Sequence, residues 1–277
     1  MIDPTHPAID RAFAPASETL LARHDDGEIH HADWRALAEC VRALGGCDAL
    51  IVDAPYSART HAGHDGAAAA EEGATWVRSN GRVESKIRRR DIDYSAWSQA
   101  DVASFVETWA PLVRGWIVSI TDSELASAWR SEMERAGRLG FQPLACVETG
   151  ATVRLAGDGP SSWTTWACVS RPRSKSMARW GTLPGAYVGA AERKPVVGGK
   201  PLWLMRALVR DYTRPGDLVV DPCGGGGTTA LAARLEGRRF VTGDADRAHA
   251  EIMRERLAAL PEQPARDGTL ALFGGDR

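Results

Sequence analysis

Apolar and polar positions alternate along this chain between two patterns. Unbroken apolar runs such as Ala49-Leu50-Ile51-Val52 and Leu218-Val219-Val220 suit strands buried on both faces. Apolar positions spaced three and four apart, such as Trp34, Leu37, Ala38, Val41 and Leu44, suit one side of a helix, and Gly45-Gly46 stops that helix. On these criteria strands are predicted at Glu28 to His31, Ala49 to Asp53, Gly115 to Ile120, Pro143 to Glu148, Trp163 to Ser170, Leu218 to Asp221 and Arg239 to Gly243. Helices are predicted at Trp34 to Leu44, Ala100 to Val113, Leu125 to Leu139, from Pro201 through Val209, Thr228 to Leu235 and Ala248 to Leu260. Such alternation argues a mostly parallel sheet covered on both faces. Trp163 and Trp166 are expected in its core.

Four stretches lie outside this alternation. Residues 1–26 read as an extension or arm. Residues 57–92 are rich in Gly, Ala and Arg, and a loop of that length inside a compact domain reads as a mobile lid or DNA-contacting insertion. Residues 171–199 read as a linker or short recognition segment, and 261–277 as a tail. A single domain over 27–277 accommodates all of these.

Composition narrows the picture only a little. The 277 residues are 44% hydrophobic and 25% charged, the balance of a soluble globular protein. No apolar run reaches the ~20 residues of a membrane helix, and the start lacks signal-peptide blocks, so a cytoplasmic protein is expected. Cys40, Cys47, Cys146, Cys168 and Cys223 have no metal-ligand spacing, which leaves neither structural zinc nor disulfides expected. The net charge of -2 does not itself attract nucleic acid. Arg78, Arg82, Lys86, Arg88, Arg89 and Arg90 nevertheless form one basic segment, and Arg171, Arg173 and Lys175 begin a second beside tryptophans. Either solvated loops or a phosphate-contacting face would look like this.

Two motifs carry chemistry. Asp221-Pro222-Cys223-Gly224-Gly225-Gly226-Gly227-Thr228 joins a strand to a helix, where glycines let backbone amides approach a ligand. Gly225, Gly227 and Ala230, with Asp244 ending the next strand, also satisfy a dinucleotide pattern, so a nicotinamide enzyme is a rival; no Lys follows the glycines as a P-loop requires. The second motif is Asp53-Ala54-Pro55-Tyr56 at the end of an apolar strand.

Taken together, the two motifs resemble those of S-adenosylmethionine-dependent DNA amino methyltransferases of the N6-adenine/N4-cytosine family. Here they stand in the permuted order, with the DPPY-like motif before the cofactor motif. Asp221-Pro222, the Lys200-Pro201-Leu202-Trp203-Leu204 segment and the Pro215-Gly216-Asp217 turn carry the resemblance from about Lys200 to Leu257.

The resemblance implies a doubly wound, mostly parallel seven-stranded α/β sheet of Rossmann-like methyltransferase type, with S-adenosylmethionine as cofactor. It assigns Asp221, Pro222, Cys223, Gly225, Gly227 and Thr228 to the cofactor loop and Asp244 to the ribose hydroxyls. Lys200 falls to the methionine end, and Asp33 to the adenine or, equally, to a helix cap. Cys223 stands where the family usually has Phe, and Asp244 where Glu is usual.

In the implied chemistry Asp53 and the carbonyl of Ala54 accept N–H bonds from a base amine, Pro55 keeps Ala54 extended, and Tyr56 offers a ring to a flipped base. Ala54 replaces the family's proline. Asp at the first position leans toward N6 of adenine; N4 of cytosine and a nucleic-acid-binding protein with a degenerate site are the alternatives.

The partner implied is double-stranded DNA, in a bacterial or phage-encoded restriction-modification setting, and a homodimer is compatible with it. Leu270, Leu272 and Phe273 resemble the peptide that docks on bacterial sliding clamps, although Thr269 replaces its leading Gln; packing of these side chains onto the sheet is the alternative.

Overall fold

The computed structural model describes residues 19–60, 76–77, 83–84, 95–150, 162–174, 180–196 and 198–260. Its strands are β1 (Leu20–His24), β2 (Gly27–His31), β3 (Ala49–Asp53), β4 (Trp76–Val77), β5 (Val83–Glu84), β6 (Ile117–Thr121), β7 (Leu139–Gly140), β8 (Leu144–Thr149), β9 (Thr164–Arg171), β10 (Ala186–Ala190), β11 (Leu218–Asp221) and β12 (Arg239–Asp244). The helices are α1 (Trp34–Ala43), α2 (Gln99–Trp109), α3 (Ala126–Arg135), α4 (Leu202–Tyr212), α5 (Thr228–Leu235) and α6 (Arg247–Ala258).

One sheet runs in the order β1-β2-β12-β11-β3-β6-β9-β8-β10, with β7 on β9, while β4 and β5 form a separate ribbon. Strands β2, β12, β11, β3 and β6 are mutually parallel, and β9 runs against both β6 and β8. The expected seven strands are the body from β2 to β8, and β1, β7 and β10 widen it to ten.

Both faces are covered, for the reason visible in β3. Its side chains alternate, Leu50 and Val52 packing with Leu37, Val41, Phe105 and Trp129 on one side. Ala49 and Ile51 pack with Leu204, Met205, Leu208 and Ala230 on the other. Each of these strand residues is within 1% of full burial. Truncating Leu50 to Ala would therefore destabilise the domain by about 2–5 kcal/mol.

Four local readings change. The segment read as an arm ends in β1, which pairs antiparallel with β2 at the sheet edge. The segment read as a linker contains β10, parallel to β8. Helix α3 stops at Arg135 because Gly137 takes a left-handed conformation, φ 78°, and turns the chain into β7. Of the two core tryptophans, Trp166 packs as expected, but Trp163 is 40% exposed.

Arg78, Arg82, Lys86, Arg88, Arg89, Arg90 and Lys175, the tail residues Leu270, Leu272 and Phe273, and the whole of 1–18 lie outside the described residues. Among the described residues no helix is long and apolar enough to cross a membrane. No cluster of three or more His, Cys, Asp or Glu among them is placed to hold a metal ion.

Candidate active site at the ends of β3 and β11

Strands β3 and β11 are neighbours in parallel register, Ala49 opposite Val219 and Leu50 opposite Val220. Their carboxyl ends therefore open on the same edge of the sheet, the place where open α/β sheets bind ligands. Each ends in aspartate, Asp53 and Asp221 respectively.

After Asp221 the chain makes a tight glycine turn. Asp221 Oδ1 accepts from Cys223 N at 3.1 Å, Gly224 N donates to Gly243 O at 2.9 Å, and Gly225 N donates to Asp244 Oδ2 at 2.8 Å. Gly225 and Gly227 have φ of 50° and 75°, a region where a Cβ is strained. A Cβ on Gly227 would also run into the Met253 side chain, and one on Gly224 into Thr242. The loop is thus held against both β12 and α6, and Gly227 is the residue that starts α5.

Asp244, at the end of β12, is engaged on both oxygens: Oδ2 takes Gly225 N, and Oδ1 takes Asp246 N at 2.8 Å. His249 stands 3.6 Å from Oδ1. A carboxylate oxygen has two lone pairs, so one on each oxygen is left for a ligand.

Around Asp53 the contacts come from far along the chain. Lys200 Nζ donates to Asp53 Oδ2 at 2.8 Å and to Gly198 O at 2.8 Å. The Tyr56 hydroxyl donates to Asp53 Oδ1 at 3.3 Å, and Lys200 Nζ lies 4.8 Å from the centre of the Tyr56 ring. Burial pushes the Asp53 carboxyl above the usual range, while Lys200, Tyr56 and the more distant Lys194 pull it back in part. Just beyond, Asp122 Oδ2 accepts from Ser57 N, Ser57 Oγ and Thr60 Oγ1 at 2.9, 2.6 and 2.7 Å, and Trp97 N donates to Tyr56 O at 2.9 Å. These bonds anchor the turn after the Asp53 motif to the ends of β6 and α2.

A cavity of about 570 Å³ joins the two motifs. Asp33, Asp53, Ala54, Pro55, Tyr56, Lys200, Asp221, Pro222, Cys223, Gly225, Thr228 and Asp244 all line it, as do Trp34, Trp97, Val196, Asp246 and His249, which sequence reasoning did not single out. Asp33 caps α1, its Oδ1 accepting from Arg35 N and Ala36 N at 2.8 and 2.9 Å, so the capping role and the place in the wall coexist. Lys200, expected beside the methionine end of a cofactor, is bonded to Asp53. Cys223 packs on the core, and burial pushes its thiol well above the ordinary value.

Arg171 and Arg173 of the second basic segment do not join this site. Because β9 is antiparallel, Ser170 faces Ile117 at the start of β6, so Arg171 closes β9 at the opposite edge of the sheet. There its guanidinium lies 5.9 Å from the Phe141 ring, and Arg173 is exposed. The strap from Glu192 to Gly199 does reach the cavity: Pro195 and Val196 pack against Gly226, and Lys194 pairs with the buried Glu148 at 2.7 Å.

Residues 164–255 match the family model N6_N4_Mtase, described as DNA methylase. Over 63 residues the chain is 40% identical to the type II methyltransferase M2.DpnII of Streptococcus pneumoniae. That match covers 23% of this chain and 24% of the relative, so it spans about a quarter of the relative's length. Among solved structures, M1.HpyAVI in complex with SAM superposes with a TM-score of 0.59 at 19% identity, over 83% of this chain and 98% of that one. PvuII DNA methyltransferase, cytosine-N4-specific, superposes at 0.57 and 13% identity, over 86% and 89%. The fold is therefore that of the class I methyltransferases, and residues 164–255 carry a match to the N6/N4 DNA methylase family. The family match contains the glycine loop, Lys200 and Asp244. Asp53 stands far upstream of it, so its part in the site rests on the geometry.

Proposed function

We propose that this protein transfers the methyl group of S-adenosylmethionine to the exocyclic amine of a base in DNA, with N6 of adenine as acceptor. The observation that carries this reading is the single cavity shared by Asp53 and the glycine loop after Asp221. Its wall suits the cofactor: Asp33, Asp53, Asp244 and Asp246 face it with Lys200 as the one lysine among the described lining residues, an excess of negative charge that favours a sulfonium cation. The free lone pairs of Asp244 suit a pair of ribose hydroxyls. When bound, the cofactor supplies a methyl group on positively charged sulfur.

The chain's own residues do the rest. An exocyclic amine is a poor nucleophile because its lone pair is conjugated with the ring. Asp53 and the carbonyl of Ala54, each accepting one N–H, draw the nitrogen toward tetrahedral geometry and hold it in line for attack. Tyr56 supplies an aromatic face to a base taken out of the helix. Once the nitrogen is methylated, the carboxylate of Asp53 can take the surplus proton.

Aspartate at the first position of the catalytic motif supports adenine over cytosine. The cytosine-N4 reading has its own support in the likeness to the PvuII enzyme, which is a likeness of fold. A cytoplasmic enzyme acting on bacterial or phage DNA fits either acceptor. Incubation with methyl-labelled cofactor and DNA of mixed sequence, followed by mass spectrometry of the nucleosides, tests the proposal. Label in N6-methyl-2′-deoxyadenosine is the expected result. Label in N4-methylcytosine would reassign the acceptor, and unlabelled DNA would overturn the function.

A further inference from the structure

The contacts of Lys200 are those of a residue serving Asp53. Its side chain is 5% exposed and its Nζ is bonded to Asp53 Oδ2 and Gly198 O, both at 2.8 Å. The entry to α4 fixes it there: Pro201 follows with φ -65°, and Glu192 Oε2 accepts from Leu202 N at 2.7 Å. A lysine this buried is costly to keep charged unless a carboxylate faces it, and Asp53 has the converse need. To take the surplus proton as well as an N–H, Asp53 must be ionised with lone pairs pointing at the substrate, yet burial alone works against its ionisation.

We propose that Lys200 is a positioning residue of the transfer step: it holds Asp53 ionised and fixes its carboxylate plane, so that the remaining lone pairs face the incoming amine. The proposal rests on the methyl-transfer reading above. Asp53 is bracketed by Lys200 on one oxygen and the Tyr56 hydroxyl on the other, which leaves its carboxylate little rotational freedom. The other ionisable groups that act on Asp53 or feel its charge are Lys194 from the strap, Asp221 and Cys223 from the glycine turn, and Cys146 from β8. Among the described residues, Lys200 is the cation in direct contact with Asp53.

The test uses the full chain with Lys200→Met and Lys200→Arg, and Lys200→Gln in place of the methionine variant if that one does not fold. Three quantities are measured: cofactor Kd by calorimetry, kcat against pH, and the titration of the Asp53 carboxylate carbon by NMR, assigned with Asp53→Asn. Lys200→Met is expected to keep cofactor Kd within about threefold, lower kcat by roughly 10²-fold or more, and move the acid limb of kcat upward by about 1–3 pH units. Lys200→Arg is expected to restore the position of that limb. An unmoved acid limb, or a loss of cofactor affinity as large as the loss in kcat, would overturn the proposal and return Lys200 to the cofactor. If the wild-type protein methylates no DNA, the function itself fails, and the carbon titration still decides this proposal: an upward shift of Asp53 in Lys200→Met supports it, and an unchanged titration contradicts it.

Discussion

Asp53 and Asp221 occupy equivalent places, each closing an apolar strand on the same edge of the sheet, yet they are set up for different charge states. Asp53 has an ammonium at 2.8 Å. Asp221 has only neutral donors, Cys223 N–H and the Thr229 hydroxyl, and burial pushes its carboxyl up to about 7, with Asp53 and Asp244 adding to the rise. At neutral pH one is built as an ionised acceptor and the other shares its proton with solvent. The position in the fold brings a carboxylate to the cavity; the partner it finds there decides what it can do.

The largest effect should come from removing the ionised partner. Asp53→Ala is expected to lower turnover by at least about 10²-fold while leaving cofactor Kd near the wild-type value, because in the proposed reaction the carboxylate acts on the amine. Parallel steady-state kinetics and calorimetry check this. Comparable losses in both quantities would merge the two aspartates into one cofactor site.

The turn that follows Asp221 is the next place to strain the comparison. Gly227→Ala places a Cβ at φ 75° against Met253 and is expected to destabilise the protein by about 1–3 kcal/mol in urea unfolding. Gly225→Ala, at φ 50° with Val196 the nearest neighbour at 3.7 Å, is expected to lose about 1 kcal/mol. Equal losses would mean that contact with α6 adds nothing to the backbone strain.

A third test uses pH. The folded carboxyl of Asp221, near 7, lies above its ordinary value of 3.8, so the native state binds the extra proton between these limits. Stability from this group is therefore greatest at or below about pH 4, falls as pH rises toward 7, and stays flat above. Asp221→Asn should remove that slope and raise the melting temperature relative to wild type, most of all at pH 8. Melting curves from pH 4 to 8 that are parallel in the two proteins would refute the charge state assigned to Asp221.

The smallest effect belongs to Asp33, whose carboxylate both caps α1 and faces the cavity. Asp33→Ala is expected to lower stability by about 0.5–2 kcal/mol, and Asp33→Asn, which keeps a capping oxygen, by much less. A weaker cofactor Kd in the Asn variant, at unchanged stability, would show that its charge is used by the ligand.

How much of this was legible in the chain differs between strand and site. The central strands announce themselves because burial on both faces leaves them uniformly apolar, as in Ala49 to Val52. Edge strands do not: β1 and β10 mix polar, small and apolar residues because one side meets solvent, and Gly189 accepts the Trp203 ring where a Cβ would collide. The two aspartate motifs were legible because each ends an apolar run. The bond between Asp53 and Lys200 was not, since it joins residues 147 apart and depends on how the strap returns over the sheet. The same holds for Trp34, which read as the apolar side of a helix, for Val196, inside the segment read as a linker, and for Trp97: all three line the cavity. Arg171 read as part of a basic face until the antiparallel course of β9 put it at the far edge.

The claim that two similarly placed carboxylates divide the work is tested most directly by single-turnover methyl transfer from preformed cofactor complexes of Asp53→Asn and Asp221→Asn, side by side with wild type. The account predicts that Asp221→Asn transfers within about tenfold of the wild-type rate while Asp53→Asn falls by at least about 10²-fold. Equal losses in the two variants, or a larger loss in Asp221→Asn, would contradict it.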